Sequence, residues 1–405
     1  MSITSEPAPR ECNARFDPQA ALAAIDGVLR SAPRPVELHE PLFRGREKQY
    51  VVDAIDSTFV SSVGEYVNRF ERELAAACEA THAVVSVNGT AALHICLHLA
   101  GVRSGDEVLV PALTFIATAN AVTYCGATPH LCDVTERSLG LDPVRLDAHL
   151  GRIAEVTQGV CRNKQTGKRI AACMPMHAFG HPVEIDELLD VCARWKIPFV
   201  EDAAESLGSR YKGRHTGNFG LLAGMSFNGN KIATTGGGGA ILTNDAALAK
   251  AAKHLTTTAK LGHKWAFNHD AIGYNYRMPN LNAALGCAQL EQLAGFRADK
   301  RTLAERYIKA FREVPGARIF ADAPFAESNY WLVTMLLDEA DTAVREDFLM
   351  LCHAHGVKAR PVWAGMHRQP MYAACPRMDL DGTENLEGRI VSLPSSVAIE
   401  RDHGP

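Results

Sequence analysis

The stretch SFNGNKIATTGGGG, residues 226–239, places a single amine, Lys231, between an Asn-Gly-Asn turn and four consecutive glycines. A lysine in such a loop has two interpretations. It is a solvated surface residue, or it is an amine held close to a ligand, with small neighbours that leave room for the ligand to approach. The lysine alone does not distinguish the two, but other groups in the chain bear on the choice.

Two further segments could bind parts of a ligand. VSVNGTAALHI, residues 85–95, ends a strand and enters an Ala-rich helix, which puts Gly89 and Thr90 at a helix N-terminus. The free N–H groups and positive dipole end there suit a phosphate, although a simple N-cap has the same sequence. Phe115, in PALTFIATAN, ends the next strand and could stack on a flat ring or pack in the core.

The strand IPFVEDAAES carries three carboxylates at its end, Glu201, Asp202 and Glu205. Carboxylates that follow an apolar run are costly to bury unless a cation or hydrogen bonds compensate them. A surface turn is one interpretation. A metal site is another, but no His/Asp ligand spacing supports it. The third is ligand binding at the carboxyl edge of a parallel sheet, where doubly wound folds bind their ligands.

Together these groups match the requirements of pyridoxal phosphate (PLP). PLP needs a carboxylate at its ring nitrogen, a lysine for its aldehyde, a surface that stacks on its ring and a cup for its phosphate. The candidates are Asp202, Lys231, Phe115, and Gly89–Thr90 with Ser226. Because their joint occurrence in this chain is far less expected by chance than any one of them, the sequence predicts a PLP site.

The elements that must position these groups alternate between strand and helix from about Lys48 onwards, which predicts βαβ units and a mainly parallel sheet. We expect a hairpin excursion at CRNKQTGKRI and one long helical stretch at 281–314. PQAALAAIDGVLRSA has the spacing of a short leader helix. The predicted strands are 82–87, 106–113, 128–134, 169–176, 196–204, 224–228 and 239–245.

Composition narrows the class of protein. With 405 residues, 47% of them hydrophobic and 22% charged, the chain is long enough for one large and one smaller domain. A net charge of −4 without a Lys/Arg run argues against nucleic-acid binding. Eleven cysteines without a CxxC pair predict neither a zinc ribbon nor a disulfide framework. Without a membrane-spanning run or signal pattern, we expect a cytoplasmic protein with no membrane partner and no metal.

From about residue 38 to residue 397 the sequence resembles the DegT/StrS-type sugar aminotransferases of fold type I. The resemblance implies a leader at residues 1–35, a large PLP-binding α/β domain with a mainly parallel seven-stranded sheet at 36–295, and a smaller α+β C-terminal domain at 296–405. The motifs that carry it are NGTAALH, PALTFIATANA, VEDAAESLGSRYKG, SFNGNKIATTGGGG, GYNYRMPNLNAALGCAQL and GVKARPVWAGMHRQPMY.

The same resemblance implies roles for individual residues. Lys231 forms the Schiff base with PLP, Asp202 pairs with the pyridinium nitrogen, and Phe115 stacks on the ring. The implied phosphate contacts are Gly89, Thr90 and Ser226.

Three further residues have roles only through the resemblance. Asn275, in GYNYRM, resembles the asparagine that reaches the phosphate of the neighbouring subunit's cofactor, which implies a homodimer with shared active sites. Glu205 and His367 are implied to contact the substrate. Glu205 stands where much of the family has glutamine, and we hypothesise that it accepts a hydrogen bond from an acetamido N–H of the sugar.

The implied reaction moves the amino group of L-glutamate to the C4 ketone of a nucleotide-linked 4-keto-6-deoxy sugar for bacterial surface glycans. VEDAAES and SFNGNK look like the branch that aminates UDP-linked N-acetylhexosamines, similar to the UDP-N-acetylbacillosamine type, and LHEP…VSSVGEYVNRFE is similar to members of the legionaminic-acid pathway. UDP-4-keto-6-deoxy-N-acetylglucosamine is therefore the first candidate. Alternatives are a GDP-perosamine synthase and a non-catalytic PLP-binding regulatory protein. A sugar 3-dehydratase would carry histidine in place of Lys231.

Two features depart from this branch of the family. The chain has Arg46 where the branch usually has asparagine, and an arginine there could alter contacts near the substrate entrance. The sequence also stops at Pro405 soon after SLPSSV, where relatives usually continue into a closing helix. We therefore expect either a shortened small domain or another element that covers the same surface.

Overall fold

The computed structural model describes residues 15–30 and 32–400. Several of its helices begin at an Asp or Asn whose side chain accepts hydrogen bonds from first-turn N–H groups, as Asp17, Asn88 and Asp142 do. The α-helices are α1 Pro18–Leu29, α2 Glu47–Asp56, α3 Glu65–Ala77, α4 Gly89–Leu99, α5 Ile116–Tyr124, α6 Pro143–Ile153, α7 Ile185–Trp195, α8 Ala246–Thr256, α9 Asn280–Leu290, α10 Leu293–Ala310, α11 Thr342–Ala354 and α12 Asp381–Glu387.

The strands are short, with two to five residues each. They are β1 His82–Ser86, β2 Glu107–Pro111, β3 Thr128–Cys132, β4 Ala154–Thr157, β5 Val160–Asn163, β6 Ile170–Cys173, β7 Val200–Asp202, β8 Arg210–Tyr211, β9 Arg214–His215, β10 Leu222–Ser226, β11 Gly239–Thr243, β12 Ala317–Ile319, β13 Ala326–Glu327, β14 Val333–Leu337, β15 Arg360–Pro361 and β16 Ile390–Leu393. Each of the seven strands predicted for the large sheet is present.

Those seven strands form one mainly parallel sheet in the order β1-β11-β10-β7-β6-β2-β3. Parallel bridges from Cys173 to Phe199 and from Met176 to Asp202 join β6 to β7. Only β11 runs antiparallel to its neighbours β1 and β10. All five residues of β2 are buried, which is why Val108–Pro111 form a continuous apolar run and not an alternating one. The predicted α/β fold with a seven-stranded sheet is confirmed.

A second, antiparallel sheet has the order β12-β14-β16-β15. Its core includes residues of α10 and α11, and helix α1 packs into the same core through Ala21, Ile25 and Leu29. The leader helix predicted from PQAALAAIDGVLRSA therefore exists and belongs to the C-terminal core. The domain boundaries near residues 35 and 295 stay a prediction.

The prediction of one long helix over 281–314 is wrong, because α9 ends at Leu290 and α10 begins at Leu293. The two residues at the break, Glu291 and Gln292, form side-chain hydrogen bonds with residues outside these two helices. The carboxylate of Glu291 accepts hydrogen bonds from Arg46, Arg69 and Tyr50, and Gln292 donates to Glu47. These contacts bring the helix junction against α2 and α3, and periodicity in the sequence could not reveal them.

The predicted hairpin at CRNKQTGKRI lies partly elsewhere. Its strands, β4 and β5, begin at Ala154 and turn at Gln158 and Gly159, both of which have positive φ. A second turn around Gly167 falls within the predicted stretch and brings Arg169 to a bridge with Arg162. Within residues 15–30 and 32–400, no helix is both long enough and apolar enough to cross a bilayer.

Candidate active site

A cavity of about 710 Å³ lies at the carboxyl edge of the large sheet, and residues from both sheets line it. Ligands of open α/β sheets bind at this edge. Seven of the residues singled out from the sequence line the cavity: Gly89, Thr90, Phe115, Asp202, Glu205, Ser226 and Lys231. Residues up to about 140 positions apart thus share one surface.

The predicted phosphate cup is formed where α4 begins beside the end of β10. Asn88 caps the helix by accepting a hydrogen bond of 2.8 Å from the backbone N–H of Ala91. Any side chain on Gly89 would place its Cβ 2.9 Å from Cβ of Ser226, so glycine is required for this close approach. The helix N-terminus and the Ser226 hydroxyl therefore face the same part of the cavity, where the dipole favours an anion.

The four-glycine run has a backbone role in addition to the room for a ligand that its position suggested. Gly238 lines the cavity, but a Cβ on Gly239 would lie 2.4 Å from the backbone of Asn88. The glycine at 239 is therefore needed because β11 passes directly beside the cap of α4. Gly239 thus gives room to the backbone at the start of α4, where the predicted phosphate contacts lie.

Asp202 is buried at the end of β7 and points into the cavity. Its Oδ2 accepts a hydrogen bond of 2.7 Å from the hydroxyl of Thr118, and its Oδ1 accepts one of 3.2 Å from the N–H of Ala204. Burial raises the pKa of Asp202, while the bond from Thr118 opposes that rise. The two hydrogen bonds, one to each oxygen, fix the orientation of this carboxylate, so it is positioned to pair with a cation in the cavity.

The neighbouring Glu201 serves the fold. Because side chains alternate along a strand, it points away from Asp202 and accepts bonds from His177 and from the N–H groups of Gly217, Phe219 and Gly220. These bonds outweigh burial and hold the pKa of this carboxyl below its ordinary value. Of the three carboxylates noted in the sequence, Asp202 and Glu205 belong to the cavity.

Lys231 lies in the cavity with 12% of its side chain exposed, beside the third carboxylate. Its Nζ is 3.0 Å from Oε1 of Glu205 and 3.8 Å from the centre of the Trp331 ring. The other carboxylate oxygen of Glu205 accepts a hydrogen bond of 2.8 Å from the N–H of Phe179. Burial raises the pKa of Glu205, and the charge of Lys231 opposes this rise.

Aromatic side chains form another wall. Phe115, 46% exposed, presents its ring at the N-terminus of α5, 6.3 Å from the ring centre of Trp363. Trp363 stacks on Phe179 at 4.9 Å and 12°, and Phe179 has a positive φ of 57°. The exposed face of Phe115 is available for a flat ring, as expected of a stacking residue.

Two polar residues that the sequence did not single out also line the cavity. His39, in the LHEP segment, buries both ring nitrogens without a hydrogen-bond partner among the described residues. Burial and the charges of Lys300 and Lys231 lower its pKa well below the ordinary value, so the imidazole is neutral. Arg360, on β15, is an exposed cation that makes no ion pair with another described residue.

Asn275 and His367 lie outside this lining. Asn275 is exposed and its backbone bridges Thr257. His367 is half-buried beside Glu384, with its Nε2 3.4 Å from that carboxylate. The roles proposed for both residues stay predictions.

Arg46, the departure noted at the cavity entrance, does not line the cavity. Its guanidinium pairs with Glu291 at 2.7 Å and lies over the ring of Tyr50, with 4.9 Å between Cζ and the ring centre. In this chain the arginine therefore takes part in the cluster that joins α2 to the junction of α9 and α10.

The chain matches the family model described as the DegT/DnrJ/EryC1/StrS aminotransferase family over residues 42–404. It is 36% identical to the GDP-perosamine synthase of Caulobacter vibrioides over 366 residues, which cover 90% of this chain and 94% of that protein. It is 30% identical to the dTDP-3-amino-3,4,6-trideoxy-alpha-D-glucose transaminase of Streptomyces venezuelae, with 84% of each chain covered. The aminotransferase TlmJ from Streptoalloteichus hindustanus matches in structure with a TM-score of 0.80 at 26% identity, covering 90% of this chain and 94% of the other.

Proposed function

Because the chain belongs to the DegT/DnrJ/EryC1/StrS aminotransferase family, and is thus a PLP-dependent nucleotide-sugar aminotransferase, we propose that it transfers an amino group from L-glutamate to the C4 ketone of a nucleotide-linked 4-keto-6-deoxy sugar. The first candidate is UDP-4-keto-6-deoxy-N-acetylglucosamine, as a step in making a bacterial surface glycan. The observation that carries the proposal is the placement of Lys231 and Asp202 in one cavity with the N-terminus of α4.

The cavity fits PLP at each of its functional groups. Lys231 would bond to the aldehyde carbon, Asp202 would pair with the ring nitrogen, and the N–H groups at Gly89–Thr90 with Ser226 would hold the phosphate. Phe115 offers a face for the ring. When bound, PLP supplies an electron sink for the substrate carbon that loses or gains a proton.

The protein's own groups do the remaining work. Asp202, held by Thr118, would keep a proton on the ring nitrogen of bound PLP through its negative charge. The amine of Lys231 would carry the proton to and from the substrate carbon, and Glu205, whose Oε1 is 3.0 Å from this amine, would orient it. Both carboxylates are buried, and the low polarity of their surroundings strengthens these charge interactions.

His39 lies in the wall of the cavity. It is a neutral group with one donor and one acceptor nitrogen, and neither has a partner among the described residues. Both nitrogens are enclosed by protein, so a ligand in the cavity would not reach them, and His39 does not bear on the choice of sugar. We propose that Arg360 meets the negatively charged part of the substrate.

A GDP-linked sugar is the second candidate, because a relative at 36% identity over 90% of the chain is a GDP-perosamine synthase. The two candidates are separated by one assay. The enzyme, loaded with PLP and given L-glutamate, is incubated with UDP-4-keto-6-deoxy-N-acetylglucosamine or with GDP-4-keto-6-deoxymannose. We expect the higher kcat/KM with the UDP sugar. A preference for the GDP sugar would assign the second function, and no amination of either sugar would contradict the proposal.

We also propose a homodimer in which Asn275 completes the partner's site. The segment that precedes Asn275 exposes large apolar side chains, with Trp265, Phe267 and Ile272 each more than 70% exposed. Exposed apolar clusters of this kind are typical of protein–protein contacts. The cytoplasmic location expected from the sequence stays a prediction.

A further inference from the structure

The amine of Lys231 lies on the face of an indole. Its Nζ is 3.8 Å from the ring centre of Trp331, well inside the distance at which a cation is attracted to an aromatic face. The same amine is 3.0 Å from Glu205, which supplies the counter-ion. Trp331 and Glu205 therefore contact one ammonium group from two directions.

Three hydrogen bonds hold Trp331 in this position, one through its ring and two through its backbone. Its ring N–H donates 2.7 Å to the backbone carbonyl of Asn230, the residue next to Lys231. Its backbone N–H donates 2.7 Å to the side chain of Asn329, and its backbone carbonyl accepts 3.0 Å from Nζ of Lys300. The residue is 5% exposed.

Lys300 is an unusual anchor for a main-chain carbonyl. It is 1% exposed, and its amine bonds to two backbone carbonyls, those of Trp331 and Ser395. Burial lowers its pKa well below the ordinary value. A buried lysine that binds only backbone oxygens fixes the chain at position 331, and so fixes the indole beneath Lys231.

We propose that Trp331 is a positioning residue that holds the free ammonium of Lys231 whenever this lysine is not bonded to the cofactor. The inference rests on the assignment of Lys231 as the cofactor lysine under the proposed function. In the exchange, the incoming amine forms the C=N bond as the bond to Lys231 breaks, and Lys231 leaves as an amine that takes up the proton given up by the incoming ammonium. The indole face and Glu205 stabilise the charged product of that exchange.

This role has opposite consequences for two equilibria. Capture of PLP by the empty enzyme removes the ammonium from the indole, so the indole opposes capture. Binding of the amino donor returns the ammonium to the indole, so the indole favours donor binding. A residue that only filled space would affect both equilibria in the same direction when it was replaced, because a disturbed cavity binds each ligand less well.

The test compares Trp331→Leu with Trp331→Phe, since both open similar space but only phenylalanine keeps an aromatic face. In Trp331→Leu we expect PLP to bind about 2- to 30-fold more tightly and L-glutamate about 2- to 30-fold more weakly, the range of a cation–π contact. PLP affinity is measured by absorbance titration of the empty enzyme, and L-glutamate affinity by loss of the lysine–PLP band. Trp331→Phe should lie close to the wild type.

Lys231→Ala supplies the control, because in that background Trp331→Leu should no longer change PLP affinity. Weaker binding of both ligands in Trp331→Leu, equal effects of leucine and phenylalanine, or an unchanged effect in Lys231→Ala would each overturn the inference. Trp331→Met replaces the leucine variant if the latter does not fold. If Lys231→Ala keeps the lysine–PLP absorbance band, the assignment of Lys231 itself fails, which distinguishes that failure from a failure of Trp331.

Discussion

The hydroxyl of Thr118, on helix α5, donates a hydrogen bond of 2.7 Å to Oδ2 of Asp202, at the end of strand β7. This contact joins two elements that are 84 residues apart in the sequence. It also stabilises the ionised form of a carboxyl whose pKa burial raises. Under the proposed pairing of Asp202 with the ring nitrogen of the cofactor, the charge of this carboxylate depends on a threonine with no catalytic chemistry of its own.

We predict that Thr118→Val moves the acid limb of the activity profile to higher pH. Loss of the bond removes a contact that lowers the pKa of Asp202, so the carboxyl takes up its proton at a higher pH. A hydrogen bond to a charged group is worth about 1.5–3 kcal/mol, which corresponds to a shift of about 1–2 pH units. The measurement is the pH dependence of the half-reaction with L-glutamate.

Two variants control this experiment. Thr118→Ser keeps the hydroxyl and should restore the wild-type profile. Thr123→Val alters a threonine of the same helix whose hydroxyl bonds to the carbonyl of Ala119, so it should leave the profile in place. An unchanged acid limb in Thr118→Val would show that this bond does not control the ionisation of Asp202.

Glu205→Gln is predicted to discriminate between sugars. If Glu205 accepts a hydrogen bond from an acetamido N–H, its loss should lower kcat/KM for the UDP-linked N-acetylated sugar about 5- to 150-fold more than for GDP-4-keto-6-deoxymannose, the effect of about 1–3 kcal/mol. In the unliganded protein one oxygen of Glu205 is engaged by Lys231. Equal losses with both sugars would assign the residue to Lys231 and the cofactor.

Asn275 is predicted to act across the dimer. Lys231→Ala and Asn275→Ala subunits should each be inactive alone, but a mixed dimer should have one site with both residues intact. After complete exchange at equal concentrations, half of the dimers are mixed, so about a quarter of the wild-type activity should return. If exchange is demonstrated by native mass spectrometry and no activity returns, both residues serve the site of one chain.

Glu201→Gln is predicted to destabilise the fold by about 2–4 kcal/mol at pH 7, because an amide N–H₂ would face backbone donors that need an acceptor. The pKa of Glu201 is lower in the folded protein, so its contribution is present above the unfolded pKa and is lost as the pH falls through the folded pKa. Urea unfolding should therefore show a difference from wild type that shrinks as the solution is acidified.

Glu184→Gln is the matched comparison for that experiment. Glu184 is also buried, but burial raises its pKa, and its carboxylate accepts a hydrogen bond from Ser138 and lies 3.9 Å from the guanidinium of Arg137. A neutral amide in its place should cost less at pH 7. Equal losses for the two variants would mean that the backbone N–H groups around Glu201 do not determine its contribution.

The sequence was sufficient to predict those site residues that lie at the carboxyl ends of strands. Parallel strands bring their carboxyl ends to one edge, so Asp202 and Ser226 could be placed together from the strand pattern, with Gly89 at the next helix. Trp331 and His39 could not be placed this way. They enter the cavity from the second sheet and from the segment before α2, and packing between distant parts of the chain brings them there.

Other differences arise from single contacts that periodicity does not record. The helix over 281–314 has a continuous helical pattern, yet it is interrupted where Glu291 binds Arg46 and Arg69. Glu201 and Asp202 look equivalent in the sequence, but the alternation of a strand sends one to backbone donors and the other to the cavity. The SNYWL segment carries no charge, so nothing in its composition marked Trp331 as a partner of Lys231.

The most direct test of the site is to fix the cofactor covalently to the lysine that we propose holds it. Enzyme loaded with PLP is reduced with sodium borohydride, digested and analysed by mass spectrometry. The account predicts one reduced PLP group on Lys231 and none on other lysines such as Lys212, whose amine pairs with Asp186 on the surface. A reduced adduct on any lysine other than Lys231, or none on a PLP-loaded enzyme, would contradict it.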